Sequence, residues 1–149
     1  MTDGYYITSF RYEVLTPQGR VDAGQTVSVT LPAVDGSIGI LARRAPLVAE
    51  MGAGRMSVRR PEGGSVEYYV AGGFAQVREG ALTVLAEECA PAESLRPEAA
   101  LAELERARRL PTDTEADWRR RERAMAIAGV KLRLAREQAA GTTVQYSSE

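Results

Sequence analysis

The chain has 149 residues, which is enough for one ordinary domain or for a compact domain with an appendage. It is 44 % hydrophobic and 26 % charged with a net charge of −1, the composition of a globular protein that has no overall attraction to nucleic acid or anionic lipid. One cysteine and no histidine exclude an internal disulfide, a zinc site and a Cys/His nucleophile made within this chain.

Residues 1–90 are predicted to form an antiparallel β-sandwich. Apolar and polar residues alternate in Phe10–Val14 and Val27–Leu31, as in strands with one buried face. Further short strands are predicted at 55–59, 66–70, 74–77 and 82–85, with glycine, proline and aspartate turns between them. Gly72-Gly73 lies between two of these strands and is interpreted as a bend or bulge, not as a phosphate-binding loop.

A two-helix hairpin is predicted for residues 91–140. The strand pattern stops at Ala90–Ser94, interpreted as a linker, and Pro97 fits the first turn of a helix. Thr114 or Asp113 is predicted to cap a second helix, and a short turn between two helices gives an antiparallel hairpin. In the first helix, an apolar stripe is formed by Ala100, Leu101, Leu104 and Ala107. In the second helix, two sets of positions repeat every seven residues: Trp118, Met125 and Leu132, and, one turn away, Arg121, Ala128 and Ala135. Residues 141–149 are predicted to be loose.

No catalytic, cofactor-binding or metal site is predicted. The only lysine, Lys131, lies in a predicted helix, so the chain has no Walker-type phosphate loop. Gly63–Glu67 ends in glutamate where the elbow of a serine hydrolase needs glycine. The N-terminus lacks a basic region followed by an apolar stretch, and no apolar run approaches membrane-spanning length, so a cytosolic-side protein is expected.

Leu31–Val48 carries the most specific motif of the chain. It resembles the signature of the epsilon subunit of F-type ATP synthases, in which Leu-Pro precedes a Gly-x-Ile-Gly-Ile-Leu turn and then His-Ala-Pro-Leu. Val14–Gly19, Tyr69–Val77 and Leu82–Glu87 are similar to other family segments in the same order. Arg44 stands where the family usually has histidine. Gly36 and Gly39 permit a tight turn, and at least one of Ile38 and Ile40 is expected to close the end of the sandwich.

The resemblance implies a non-catalytic rotor part of a proton-translocating ATP synthase, at the cytoplasmic face of the bacterial inner membrane. In the family, the sandwich contacts the c-ring and the gamma subunit, so the resemblance implies that these contacts lie near Asp35, Gly36, Ser37, Ile38, Arg43 and Arg44. No nucleic-acid partner and no membrane insertion are expected.

In the family, the helical tail can extend along gamma and reach an acidic loop of a catalytic beta subunit, which restrains ATP hydrolysis. Residues 95–140 carry eleven basic and eight acidic residues. The candidate contacts with beta are Arg119, Arg120, Arg121, Arg123 and Lys131. They could equally form a solvated face with local pairs such as Glu115–Arg119 and Asp117–Arg121. Leu95–Ala100 lacks the Asp and Arg of the ATP-binding motif of some relatives, so no nucleotide cofactor is expected.

Two other functions fit parts of the pattern. A free-standing β-sandwich binding module with a helical oligomerisation hairpin would explain the elements, but not the ordered epsilon motifs. Nucleic-acid binding through the arginine-rich helix is disfavoured, because the charge excess is small and aromatic residues are not interleaved with the arginines.

Overall fold

A computed structural model of the chain describes residues 8–140. The chain divides into two compact units between Cys89 and Ala90. The predicted loose segment 141–149 lies outside the described residues. Among the helices described, none is long and apolar enough to cross a membrane.

The first unit is a sandwich of two five-stranded sheets. The strands are β1 Phe10–Thr16, β2 Gly19–Thr26, β3 Ser28–Ala33, β4 Gly36–Leu41, β5 Leu47–Glu50, β6 Gly54–Arg59, β7 Ser65–Ala71, β8 Phe74–Arg78, β9 Ala81–Leu85 and β10 Glu88–Pro91. One sheet has the order β2-β1-β9-β8-β5 and the other the order β10-β7-β6-β3-β4. The predicted β-sandwich is confirmed. One pairing departs from the antiparallel pattern, because β1 and β9 run parallel.

The core lies between the two sheets and is built by alternation along the strands. Tyr12 and Val14 of β1 are 3 % and 0 % exposed, whereas Arg11 between Phe10 and Tyr12 faces solvent. Val58 of β6 and Val84 of β9 are fully buried and belong to the same cluster. Because successive side chains of a strand point to opposite faces, this alternation fixes which face of each sheet is buried.

Four strands were not predicted, and two local interpretations were wrong. β2, β4, β5 and β10 are additional to the predicted set. Ala90 and Pro91 belong to β10 and are not linker; a single 3₁₀ turn, Ala92–Ser94, follows them. Gly39 does not help to make a turn but pairs with Thr30 inside β4, while Gly36 has the positive φ of +136° that the β3–β4 turn requires. Ile40 is 1 % exposed in the core, as expected for one of the two isoleucines.

The second unit is a hairpin of α1 Pro97–Arg108 and α2 Glu115–Ala140. Pro97 occupies the first turn of α1, as predicted. Thr114 caps the N-terminus of α2, because its Oγ1 accepts a hydrogen bond from the Asp117 backbone N–H at 3.0 Å. Glu103 contacts Lys131, whereas Arg108 lies beside Arg121, so the two helices run antiparallel, as predicted.

The predicted apolar stripes of the hairpin are only partly buried. Ala100 and Ala107 of α1, and Ala128, Leu132 and Ala135 of α2, are buried. Leu101 and Trp118 of these stripes remain 43 % and 51 % exposed. Small side chains therefore make up most of the packed face, which gives the hairpin a modest apolar interface.

Candidate functional site

The predicted c-ring and gamma contacts are distributed along one strand. Asp35, Gly36 and Ser37 are exposed at the β3–β4 turn, whereas Arg43 and Arg44 are exposed in the loop after β4. A six-residue strand is about 17 Å long, so the two groups lie at opposite ends of β4. Ile38 is partly buried and packs against the core, and so contributes to the sandwich more than to a surface. The structure thus places the candidate contact residues at the two ends of one strand, not in a single cluster.

Arg44, the departure from the family motif, contacts β4 itself. Its Nη1 donates a hydrogen bond to the Gly39 carbonyl at 3.3 Å. The preceding Arg43 has a φ of +65°, the left-handed conformation that few residues other than glycine adopt. The loop therefore turns sharply at Arg43 and directs the Arg44 side chain back along the strand.

Exposed apolar side chains accompany both contact groups. Val34, at the β3–β4 turn, and Leu41, at the end of β4, are each 63 % exposed. A second apolar row lies on the outer face of the other sheet, where Phe74 is paired with Leu85 and both are about half exposed. This row could have been predicted from the sequence. Phe74 and Leu85 are apolar, but they occupy the positions of β8 and β9 that alternate with the buried residues and therefore face outward. Single exposed apolar residues are ordinary, whereas adjacent ones indicate a contact surface.

The tail arginines are mostly engaged with neighbours on their own helix. Arg119 lies 3.1 Å from Glu115, the predicted i,i+4 pair. Asp117 pairs with Arg120 at 3.2 Å, and not with Arg121 as predicted. Arg121 lies 3.7 Å from Glu122, and its Nε donates a hydrogen bond to the Arg108 carbonyl. Arg123 is exposed. Pairs this exposed contribute only tenths of a kcal/mol, so Arg119 and Arg120 can exchange partners at little cost.

Lys131 differs from Arg119 and Arg120 because, like Arg121, it contacts the other helix of the hairpin. Its Nζ lies 3.1 Å from both carboxylate oxygens of Glu103. The two side chains are 20 % and 34 % exposed, so water screens this pair less than it screens the others. Lys131 therefore stabilises the hairpin in the described conformation and is less available to a partner than Arg119 or Arg120.

We expect the Glu103–Lys131 pair to have a measurable coupling energy. Glu103→Gln and Lys131→Met, made singly and together, should give a coupling of about 0.5–1.5 kcal/mol in the unfolding of the helices monitored by circular dichroism. The matched pair Glu115–Arg119, with side chains 81 % and 71 % exposed, should give about 0.3 kcal/mol. Equal coupling energies for the two pairs would show that Glu103–Lys131 stabilises the hairpin no more than an exposed pair within one helix.

The sandwich contains a cluster of hydrogen-bonded polar side chains that the sequence did not reveal. Asp22 Oδ2 accepts hydrogen bonds from the Tyr12 hydroxyl at 2.8 Å and from the Tyr68 hydroxyl at 2.6 Å. Tyr12 and Asp22 belong to one sheet and Tyr68 to the other, so the carboxylate joins the two layers. The two tyrosines are 3 % and 7 % exposed. Charge-assisted bonds of this kind are stronger than neutral ones.

Burial is the main cause of raised pKa values around this cluster. The pKa of Tyr12 is raised to about 12 by burial, and further by the hydrogen bond to Asp22 and the charge of Asp22, although Arg60 opposes the shift. The pKa of Tyr68 is also raised, first by burial and then by the hydrogen bond to Asp22 and the charge of Asp22. The pKa of Cys89 is raised to about 11 by burial and then by Asp22. The thiol therefore stays protonated near neutral pH.

These shifts predict a loss of stability in alkali. An unfolded tyrosine loses its proton near pH 10, whereas folded Tyr12 retains it to about pH 12. The contribution of Tyr12 to the free energy of unfolding is thus fully present below about pH 10. It is lost as the pH rises through about 12, and the loss is about 2–3 kcal/mol. Urea unfolding at pH 8, 10 and 11.5 should show this fall, and Tyr12→Phe should reduce it. An equal pH dependence in wild type and Tyr12→Phe would contradict the assignment.

Comparison with known proteins identifies the family of this chain. Residues 9–92 match the family described as ATP synthase, Delta/Epsilon chain, beta-sandwich domain. The ATP synthase epsilon chain of Desulfitobacterium hafniense (strain Y51) is 35 % identical over 130 residues, covering 86 % of this chain and 97 % of that relative. The epsilon chain of Rhizobium leguminosarum bv. trifolii is 32 % identical over 107 residues, covering 72 % of this chain and 79 % of that relative.

Solved structures share the fold. A chain in the Euglena gracilis mitochondrial ATP synthase structure (OSCP/F1/c-ring) superposes with a TM-score of 0.73 at 23 % identity, covering 87 % of this chain and 82 % of that one. A chain in the central stalk and c-ring of the Tetrahymena thermophila enzyme gives a TM-score of 0.68 at 11 % identity, covering 84 % and 95 %. Both sequence relatives are named epsilon chains of ATP synthase, in agreement with the prediction of a non-catalytic subunit. The chain belongs to the ATP synthase delta/epsilon chain family, and the relatives that show this are epsilon chains.

Proposed function

We propose that this chain couples rotation of a proton-driven c-ring to the gamma subunit, and that its helical hairpin restrains ATP hydrolysis. The observation that carries the proposal is the alignment with an epsilon chain over 86 % of this chain, which includes residues of both compact units. The subunit sits at the cytoplasmic face of the bacterial inner membrane as a peripheral part of the complex, without inserting into the bilayer.

The sandwich supplies the rotor contacts. The Asp35–Ser37 turn and the Arg43–Arg44 loop are exposed at the two ends of β4, and each has an exposed apolar side chain beside it. A part that transmits torque needs rigid surfaces that match its neighbours in shape. A β-sandwich with a close-packed core has that rigidity, and turns at its ends can meet two neighbours, the c-ring and gamma.

The hairpin supplies the restraint. Arg119 and Arg120 are 71 % and 66 % exposed, and their present partners lie on the same helix. Carboxylates of a catalytic beta subunit can replace these partners, because bidentate arginine–carboxylate contacts in a less hydrated interface are stronger than exposed pairs. Arg123 extends the same basic segment. Arg121 and Lys131 act within the hairpin, where each contacts α1.

Removing the hairpin should release the restraint. Truncation after Ala92 should leave the assembled complex intact and raise its ATPase activity by about 5-fold or more, the usual size of a regulatory coupling. The full-length triple variant Arg119→Gln, Arg120→Gln, Arg123→Gln should reproduce part of that rise. Removing Arg11, Arg59 and Arg78, which are exposed on the sandwich, is the matched control and should change nothing. Unchanged hydrolysis in the truncated complex, at low and at high ATP, would show that the hairpin is not inhibitory.

A further inference from the structure

Within residues 8–140, strand β4 is an edge of its sheet, and it has no feature that blocks the addition of another strand. Its six residues contain no charge, no proline and no register shift against β3. The other edges are protected. β2 carries Arg20 and Asp22 and lies opposite a register shift in β1, while β5 and β10 have only four residues each and β10 includes Pro91. An edge as long and uncharged as β4 is a template for a further strand.

The hydrogen bonds of β3 show which main-chain groups of β4 point outward. The Pro32 carbonyl accepts from the Gly52 N–H at 3.1 Å, and the Val34 N–H donates to the Glu50 carbonyl at 3.2 Å. Residues 32 and 34 thus direct their groups away from β4, and so by alternation do 28 and 30. Their partners on β4 direct theirs away from β3; these partners are Ser37, Gly39 and Leu41.

The outward groups are accessible. In residues 8–140, the Gly39 carbonyl accepts only the Arg44 guanidinium, and no backbone hydrogen bond beyond the β3 pairing reaches Ser37 or Leu41. The outer face beside the edge is open as well, because a Cβ at Gly39 would meet no atom within 4 Å and Leu41 is 63 % exposed. The edge therefore has room for a strand and unused donors and acceptors to bind it.

We propose that β4 accepts an extended, acidic segment of a neighbouring stalk subunit as a further strand of the sheet. Main-chain hydrogen bonds to Ser37, Gly39 and Leu41 provide the affinity. The charge of the segment follows from Arg43 and Arg44, which are exposed at the end of β4 and form no ion pair within the described part of the chain. Carboxylates on the incoming strand neutralise them. Arg44 then leaves the Gly39 carbonyl, which takes an N–H of the new strand instead.

The proposal rests on the proposed function for the identity of the partner, and it adds the mode of contact. Strand addition, unlike side-chain contact, protects the backbone amides of every second residue of β4 from hydrogen exchange. The amides of Ile38 and Ile40 bond β3 in the free chain, whereas those of Ser37, Gly39 and Leu41 do not.

Hydrogen exchange resolved to single amides tests this difference. In the free chain, Ser37, Gly39 and Leu41 should exchange quickly, and Ile38 and Ile40 slowly. In the complex with alpha, beta and gamma, the first three should slow by at least about 10-fold. Fast exchange at these amides in an intact complex would overturn strand addition while leaving the proposed function standing. Failure to form any complex would instead contradict the proposed function. Protection in the free chain that rises with concentration would show self-pairing and would overturn the acidic partner.

A pair of substitutions at one position isolates the main-chain contact. Gly39→Pro deletes the outward N–H without removing a bond to β3, and Gly39→Ala keeps that N–H in the same open space. Provided that both variants melt near the wild type, Gly39→Pro should weaken binding of the chain to its stalk complex by at least about 10-fold, and Gly39→Ala should not. Equal binding of the two variants would overturn the proposal. If Gly39→Pro does not fold, the exchange experiment still decides the question.

Discussion

Gly73→Ala should destabilise the sandwich by at least about 3 kcal/mol. Gly73 has a φ of +92° in the turn between β7 and β8, a conformation that disfavours any Cβ. A Cβ there would also collide with the carbonyl oxygen of Leu85 and lie 2.9 Å from its carbonyl carbon. The obstacle is main chain of β9, which cannot rotate away as a flexible side chain could. The interpretation of Gly72-Gly73 as a bend is therefore confirmed, and the two backbones approach too closely there for a side chain.

Gly80→Ala is the matched control for this substitution. Gly80 also has a positive φ, +75°, but a Cβ there would meet no atom within 4 Å. It should cost only about 1–2 kcal/mol, the conformational part alone. The unfolding free energies of both variants, measured by urea denaturation, separate the cost of the positive φ from the cost of the collision with Leu85. Similar losses at the two positions would show that the contact with Leu85 adds nothing.

Asp22→Ala should cost about 2–4 kcal/mol, because it leaves two tyrosine hydroxyls without their acceptor. Tyr12 and Tyr68 both donate to the same carboxylate oxygen, and both are more than nine-tenths buried. The Ala23 N–H also loses its bond to Asp22 Oδ1, at 2.8 Å. A hydroxyl that loses its partner inside a protein bears its full desolvation cost, so the effect exceeds that of an ordinary surface substitution.

Two further variants distinguish this mechanism from general loss of charge. Asp35→Ala removes an exposed aspartate of the β3–β4 turn and should change the unfolding free energy by less than about 0.5 kcal/mol. Asp22→Asn keeps one acceptor oxygen and should fall between Asp22→Ala and wild type. If Asp22→Ala and Asp35→Ala have equal stability in urea, the cluster does not hold the two sheets together.

The sequence predicted the strands whose residues alternate and missed those that do not. β1, β3, β6, β8 and β9 have one buried and one exposed face, so their pattern has period two. β7 was predicted as well, although its last four residues are all buried. β2 is exposed along most of its length, and β5 and β10 have only four residues, too few to show a period. Gly36 and Gly39 made β4 resemble a turn, although only Gly36 has a positive φ. The prediction that Gly39 helps to form a turn failed because pairing with β3 outweighs the low strand propensity of glycine.

Local contacts of the candidate sites were predictable, and distant ones were not. Glu115–Arg119 follows from the spacing of a helix, and it is present. Asp22 and Tyr68 are 46 residues apart and meet only through the packing of two sheets, which no local pattern encodes. The same holds for Glu103 and Lys131, on different helices. The spread of the rotor-contact candidates to both ends of β4 became visible only once the strand was placed.

Purification of the tagged chain from its own cells tests the assignment most directly. The account predicts that gamma is recovered one-to-one with the chain, together with alpha and beta, and that quantitative mass spectrometry gives this ratio at both low and moderate salt. Recovery of the chain alone or as a homo-oligomer would favour a free-standing binding module. Recovery with polynucleotide that salt removes would indicate nucleic-acid binding. Either result would contradict a role as a subunit of the ATP synthase stalk.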